Sequence, residues 1–182
     1  MWNEANLEFI QYVNTQHWIY TNLQCRTMRK HYNFFNAYAL LRYKEKQQCW
    51  KSLEETNQYI ELEHYIFAQG LNRVMDKEEK RGGTSLCDPF RDTLEALFSV
   101  SDLLDIKPRN LKFTWSNKRV GPIHIASCLD RFLVHSIILV DDLLRNSTIL
   151  PISISNHCPT LLSITPKSWS SRFYIQSHLS LP

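Results

Sequence analysis

At 182 residues and 21.6 kDa the chain suits one domain, large enough to bury a real core. A hydrophobic content of 43% with 12% aromatics excludes disorder as the default. The net charge of +3 is compatible with a phosphate-bearing partner without marking one.

Five cysteines, Cys25, Cys49, Cys87, Cys128 and Cys158, are scattered without a C-x-x-C pair. This argues against a zinc site or a disulfide framework, and for a reducing compartment with no disulfide-linked partner. Met1-Trp2-Asn3-Glu4 has no basic or apolar leader pattern, and no apolar run approaches the ~18 residues of a membrane helix. The expectation is an intracellular protein, nuclear or cytoplasmic, with no membrane partner.

In chain order, Leu7 to Val13, His17 to Leu23 and Tyr32 to Tyr38 are rich in aromatic and β-branched residues and read as strands, the first two a hairpin. Glu45 to Ile60 reads as a helix with Cys49, Trp50, Leu53 and Ile60 on one side. His64 to Ala68 reads as a buried strand leaving through a turn at Gln69-Gly70-Leu71-Asn72, followed by a charged loop from Asp76 to Gly83. Asp88-Pro89 opens a second helix, an N-cap acid followed by proline where its missing N–H costs nothing. Phe90, Leu94, Leu97 and Phe98 form that helix's apolar face. Strand patterns return at Leu111 to Trp115, Leu129 to Val134 and Thr160 to Ile164. The last stretch, 165–182, reads as a loosely ordered tail. Strands and helices are interspersed without strict β-α-β alternation, which predicts an α/β fold of a sheet pair flanked by helices.

Two residues stand out chemically. Asp130 shares a strand face with Phe132 and Val134, where a carboxylate needs a cation or hydrogen-bond donors. Arg131 is one local partner for it. His157 lies in the turn Ser155-Asn156-His157-Cys158-Pro159; it is either a polar surface residue or, with a carboxylate partner, a group able to polarise a phosphate or steady a leaving group. Lys107, Arg109, Lys112, Lys118 and Arg119 surround Trp115, a mix that suits either a solvated rim or a grip on a nucleic-acid backbone.

The segments Phe113-Thr114-Trp115-Ser116-Asn117, Cys128-Leu129-Asp130-Arg131-Phe132-Leu133-Val134 and Ser155-Asn156-His157-Cys158-Pro159 follow one another in an order that resembles the endonuclease/exonuclease/phosphatase superfamily, the DNase I-like fold. The match is best to the endonuclease domain of plant non-LTR (LINE-type) retrotransposons, where an FTWSN segment, an RLDRFLV strand and an SDH-x-P turn occur in this order. The resemblance covers roughly Phe34 to Ile164 and, more weakly, the first strands. It implies a two-sheet α/β/β/α sandwich, here a partial one lacking its N-terminal strands, with a truncated domain over 1–164 and the tail over 165–182.

The resemblance also implies Mg²⁺-dependent phosphodiester hydrolysis on DNA. It places Asp130 in hydrogen-bond contact with His157, gives Asn72 the orienting of the attacked phosphate, and makes Tyr38 a phosphate contact. Trp115, Asn117, Lys118 and Arg119 become the expected nucleic-acid-binding residues. Two positions depart from the pattern. Gly70 stands where the GDxN turn has the aspartate that activates water, and Asn156 stands where SDH has another. Neither can take a proton, and losing a positioned general base typically costs ~10²–10⁴ in rate. The segment carrying the Mg²⁺-binding glutamate is expected to be absent, and neither Glu4 nor Asp76 has a spacing that argues for it as a replacement, so the metal ligands are unknown. The expectation is an endonuclease-derived chain without catalysis, against the alternative of a non-catalytic nucleic-acid-binding remnant or a functionless fragment.

Overall fold

The computed structural model describes residues 6–15, 18–38, 47–48, 51–52, 55, 64–70, 74–84, 91–140, 144–151, 154–164 and 173–176. Leu7–Asn14 (β1), Trp18–Cys25 (β2) and Lys30–Tyr38 (β3) form an antiparallel meander. The hairpin expected from the first two runs is present. The Thr15 hydroxyl donates to the Trp18 carbonyl at 2.9 Å and accepts the Trp18 N–H at 3.1 Å, closing the turn. Tyr65–Gly70 (β4) lies parallel to β3, and Asp130–His135 (β9) lies antiparallel to β4. Leu103–Asp105 (β6) completes the sheet beyond β9, giving the order β1-β2-β3-β4-β9-β6.

Two-residue alternation sends side chains to both faces of this sheet, and both are covered. On one face Trp18, Tyr20, Phe35, Phe67 and Leu133 pack under Leu94 and Phe98 of the helix Arg91–Val100. The Phe35 and Phe67 rings stack there at 4.7 Å. Gln47, Gln48, Lys51, Ser52 and Glu55 are helical, and Trp18 Nε1 donates to Ser52 Oγ at 3.3 Å. On the other face Leu23, Ile66, Ala68, Phe132 and Val134 meet Leu162 and Ile164. The last two come from a second sheet made of Leu144–Ile149 (β10), Thr160–Ile164 (β11) and Phe173–Gln176 (β12), in that order. Each large apolar side chain buried between the layers stabilises the fold by about 1.5–3 kcal/mol. The edge strand β1 leaves Phe9, Ile10, Tyr12 and Val13 exposed.

A third, small sheet has the order β5-β8-β7, from Lys80–Arg81 (β5), Ala126–Ser127 (β8) and Trp115–Ser116 (β7). Several sequence expectations change here. The run Leu111 to Trp115 is not a five-residue strand: only Trp115–Ser116 pairs, Leu111 is 54% exposed, and Thr114 uses its polar groups on loop backbone. Gln69 and Gly70 belong to β4, extended by pairing with β9, and are not in an exit turn. Within the expected tail, Phe173–Gln176 pairs antiparallel with β11. Strands β6 and β10 were not foreseen, the first too short to show a period and the second, LRNSTI, too polar. Leu71, Asn72, Asp88, Pro89, Phe90 and the side chains of Tyr38 and Leu97 lie outside the described residues. No helix among the described residues is long and apolar enough to cross a membrane.

Candidate active site

One row of the large sheet gathers the candidate residues. Gly70, the last residue of β4, is the register partner of Asp130, the first residue of β9, and also of Tyr38 at the end of β3. Two segments close over the Asp130 end of this row. Trp115 forms an antiparallel bridge with His157, Ser116 N–H donates to the Asn156 carbonyl at 3.0 Å, and Cys158 N–H donates to the Thr114 carbonyl at 2.7 Å. The turn is shaped by Ser155, whose hydroxyl accepts the His157 N–H at 3.1 Å. The sequence folds this way because a hydroxyl two residues ahead of His157 and a proline two residues after it both favour a chain reversal.

This brings His157 onto Asp130. Nδ1 of the imidazole lies 2.9 Å from Asp130 Oδ2 and 3.2 Å from Oδ1. A carboxylate only accepts, so Nδ1 carries the proton in this contact. Asp130 is 8% exposed and His157 half-buried, so the pair is a shielded one with one open edge. The hydrogen bond to Asp130 raises the His157 pKa, burial works against it, and the Asp130 charge adds to the rise, for a net upward shift from the ordinary 6.5. A raised folded value stabilises the fold fully below about pH 6.5, and that contribution is lost as pH climbs through the raised value. Asp130→Asn is therefore expected to lower the His157 titration midpoint in an NMR pH series and to remove that alkaline loss of stability. An unchanged midpoint would mean that the two groups are not paired in solution.

Arg131 is not the partner of Asp130. It points to the opposite face of β9, where its guanidinium forks onto Glu79, with Nη1 at 3.0 Å from Oε1 and Nη2 on Oε2. Nη1 also lies 2.5 Å from Asp105 Oδ2, and Lys107 joins through Glu79 and through Asp105 at 3.1 Å. Glu79 further accepts the N–H groups of Met75 and Asp76, at 2.8 and 3.2 Å. Burial pushes the Glu79 carboxyl up, but the hydrogen bonds from Arg131 and Lys107 outweigh it and leave it at about 2. Lys107 is thus paired with Glu79 and Asp105, with half of its side chain exposed. Nothing in the spacing showed this four-charge cluster; an arginine inside an apolar strand was its one visible sign.

The expected nucleic-acid residues divide. Asn117 staples its own loop: Oδ1 accepts the N–H groups of Arg119 and Ile125 at 3.2 and 3.0 Å, and Nδ2 donates to the Ile123 carbonyl at 2.8 Å. Its amide thus shapes the loop through three bonds to backbone. Trp115 is half-buried beside His157, Lys118 donates to the Ile154 carbonyl at 2.9 Å, and Arg119 is exposed. Asp76, considered as a metal ligand, lies near Arg91 and Lys107, at 3.5 and 3.9 Å. Glu4 and Asn72 lie outside the described residues.

Magnesium needs several hard oxygens in octahedral array. Among the described residues no group of three or more His, Cys, Asp or Glu side chains is placed to hold a metal. At Gly70 an added Cβ would meet Asp130 Oδ1 at 3.4 Å, so this position faces the pair and brings no oxygen of its own side chain. The described donors do not fit a magnesium site. Near the pair, Cys128 and Cys158 offer no substitute chemistry. Burial pushes the Cys128 thiol up to about 11, and burial and the Asp130 charge push Cys158 up, so neither supplies a thiolate at neutral pH. Cys25, Cys128 and Cys158 are free.

Two packed sheets under a helical outer layer give the chain the DNase I-like α/β sandwich fold. The endonuclease domain of TRAS1, a telomere-specific non-LTR retrotransposon, matches with a TM-score of 0.70 at 16% identity, over 89% of this chain and 70% of that one. A mannosyl-6-phosphatase of Bacteroides thetaiotaomicron matches at 0.56 with 12% identity, over 86% of this chain and 66% of its own. TDP2 of D. rerio, complexed with single-strand DNA product, matches at 0.54 with 13% identity, over 85% and 65%. The chain thus spans about two thirds of the length of these structures. In sequence, no protein-family model and no curated protein matches it.

Proposed function

We propose that this chain derives from the metal-dependent DNA endonuclease of a plant LINE-type retroelement and that this copy no longer hydrolyses phosphodiesters. The observation that carries the reading is the His157–Asp130 contact at 2.9 Å standing directly beside Gly70. Half of a hydrolytic site is built there: an oriented imidazole able to polarise a phosphate oxygen or protonate a leaving group. The other half needs an acid that takes a proton from water, and the two positions that the resemblance assigns to such acids are Gly70 and Asn156. Tyr38 and Asn72 are proposed as the remaining phosphate contacts.

A second reading, binding of nucleic acid without cleavage, is favoured by the loop that follows Trp115. Asn117 ties it together by hydrogen bonds, it carries Lys118 and Arg119, and Lys118 reaches the Ile154 carbonyl just before the His157 turn. Supercoiled plasmid incubated with the protein and Mg²⁺ tests both readings. The expected result is retention of DNA that weakens with salt and with Arg119→Ala, without nicking. Nicking by the wild type that His157→Ala abolishes would overturn the loss of hydrolysis. Absence of both nicking and retention would leave a non-functional fragment.

A further inference from the structure

We propose that Thr114 is the positioning residue that sets the His157–Asp130 pair. It is bonded at once to the strand that carries the acid and the turn that carries the imidazole. Its Oγ1 accepts the N–H groups of Leu129 and Asp130, each at 2.9 Å. Its carbonyl accepts the Cys158 N–H at 2.7 Å, and its N–H donates to the Ser127 carbonyl at 3.0 Å. The side chain is fully buried.

Two N–H donors use both acceptor lone pairs of the hydroxyl, so the oxygen fixes two successive peptide planes at the point where β9 begins. The first side chain after them is Asp130. The carbonyl of the same residue fixes the peptide immediately after His157. Acid and imidazole therefore reach their contact through one residue, with a single backbone unit between the two anchors. Buried N–H groups left without an acceptor do not stay in place; they turn toward water or toward another oxygen. Without the Thr114 oxygen, the start of β9 is expected to rotate and carry the Asp130 carboxylate away from Nδ1.

This inference rests on the reading of Asp130 and His157 as a retained catalytic pair, but its test needs neither DNA nor metal. Neutral histidine free of a partner favours the proton on Nε2, whereas a carboxylate at Nδ1 holds it there. Ring ¹⁵N shifts of His157 report which nitrogen is protonated. The wild type and Thr114→Ser, which keeps the oxygen, are expected to hold the Nδ1–H form. Thr114→Val, matched in shape but lacking the oxygen, is expected to lose it, as Asp130→Asn does. A folded Thr114→Val with the wild-type Nδ1–H signature would overturn the proposal. Should that variant not fold, amide exchange in the wild type decides. Strong protection of both Leu129 and Asp130 N–H supports the proposal, and exchange of either at the rate of an open loop overturns it. Plasmid nicking by the wild type would refute the loss of hydrolysis and leave this inference standing.

Discussion

Replacing Arg131 with methionine is expected to destabilise the fold by about 3–5 kcal/mol, the usual cost of removing one member of a buried ion pair. The Arg131 side chain is 1% exposed and Glu79 7%, so the variant strands a carboxylate that water does not reach. Lys107 cannot take over alone, because its side chain is 51% exposed and already shared with Asp105. The loss also reaches β9 itself, since Arg131 follows Asp130 and its Nη2 caps the Cys128 carbonyl at 3.3 Å. Removing both charges, Glu79→Gln with Arg131→Met, is expected to cost less than Arg131→Met alone. The pH dependence has a definite sign. Glu79 is depressed to about 2 from 4.5, so its contribution is complete above pH 4.5 and fades as pH falls toward 2. Urea unfolding at pH 7 and pH 3 measures both effects. An Arg131→Met unfolding free energy within about 1 kcal/mol of wild type would show that solvent reaches the cluster.

The second large effect is a gain. Gly70→Asp combined with Asn156→Asp is expected to produce Mg²⁺-dependent nicking of plasmid ~10²–10⁴ above the wild-type background, the range that a positioned general base supplies. Gly70 accepts the change sterically, because a Cβ there stands at an ordinary 3.4 Å from Asp130 Oδ1. Asn156 is exposed, and aspartate nearly matches its shape. The new carboxylate at position 70 would stand near Asp130, a repulsion that a divalent cation relieves. Added His157→Ala should return the double variant to background, which separates this chemistry from a contaminating nuclease. A folded double variant with no gain, assayed by single-hit plasmid relaxation, would show that these two acids are not what the site lacks.

The sequence shows most of the long strands because they are rich in aromatic and β-branched residues, and β4 and β9 are continuous apolar runs because both of their faces are covered. It could not show β6 or β10, whose few residues pair through neighbours distant in sequence, as Leu103 with His135 and Leu144 with Ile164. Of the site, the Asp130–His157 contact was legible only through the order of the three motifs. Local spacing alone favoured Arg131 as partner, and the alternation of the strand explains why that failed: successive residues point to opposite faces, so Asp130 and Arg131 serve different clusters. Thr114 was visible as a letter of FTWSN, but its double acceptance depends on β9 starting where it does.

The proposed loss of hydrolysis requires a site that keeps its oriented imidazole while lacking the acids that gather a cation and accept water's proton. Calorimetric titration of Mg²⁺ into the wild-type protein tests this most directly. No saturable heat is expected across ~10⁻⁴–10⁻³ M, where weak oxygen-ligand sites fill. Saturable binding in that range, lost in Asp130→Asn, would contradict the account by showing that the chain assembles a cation site around the pair after all.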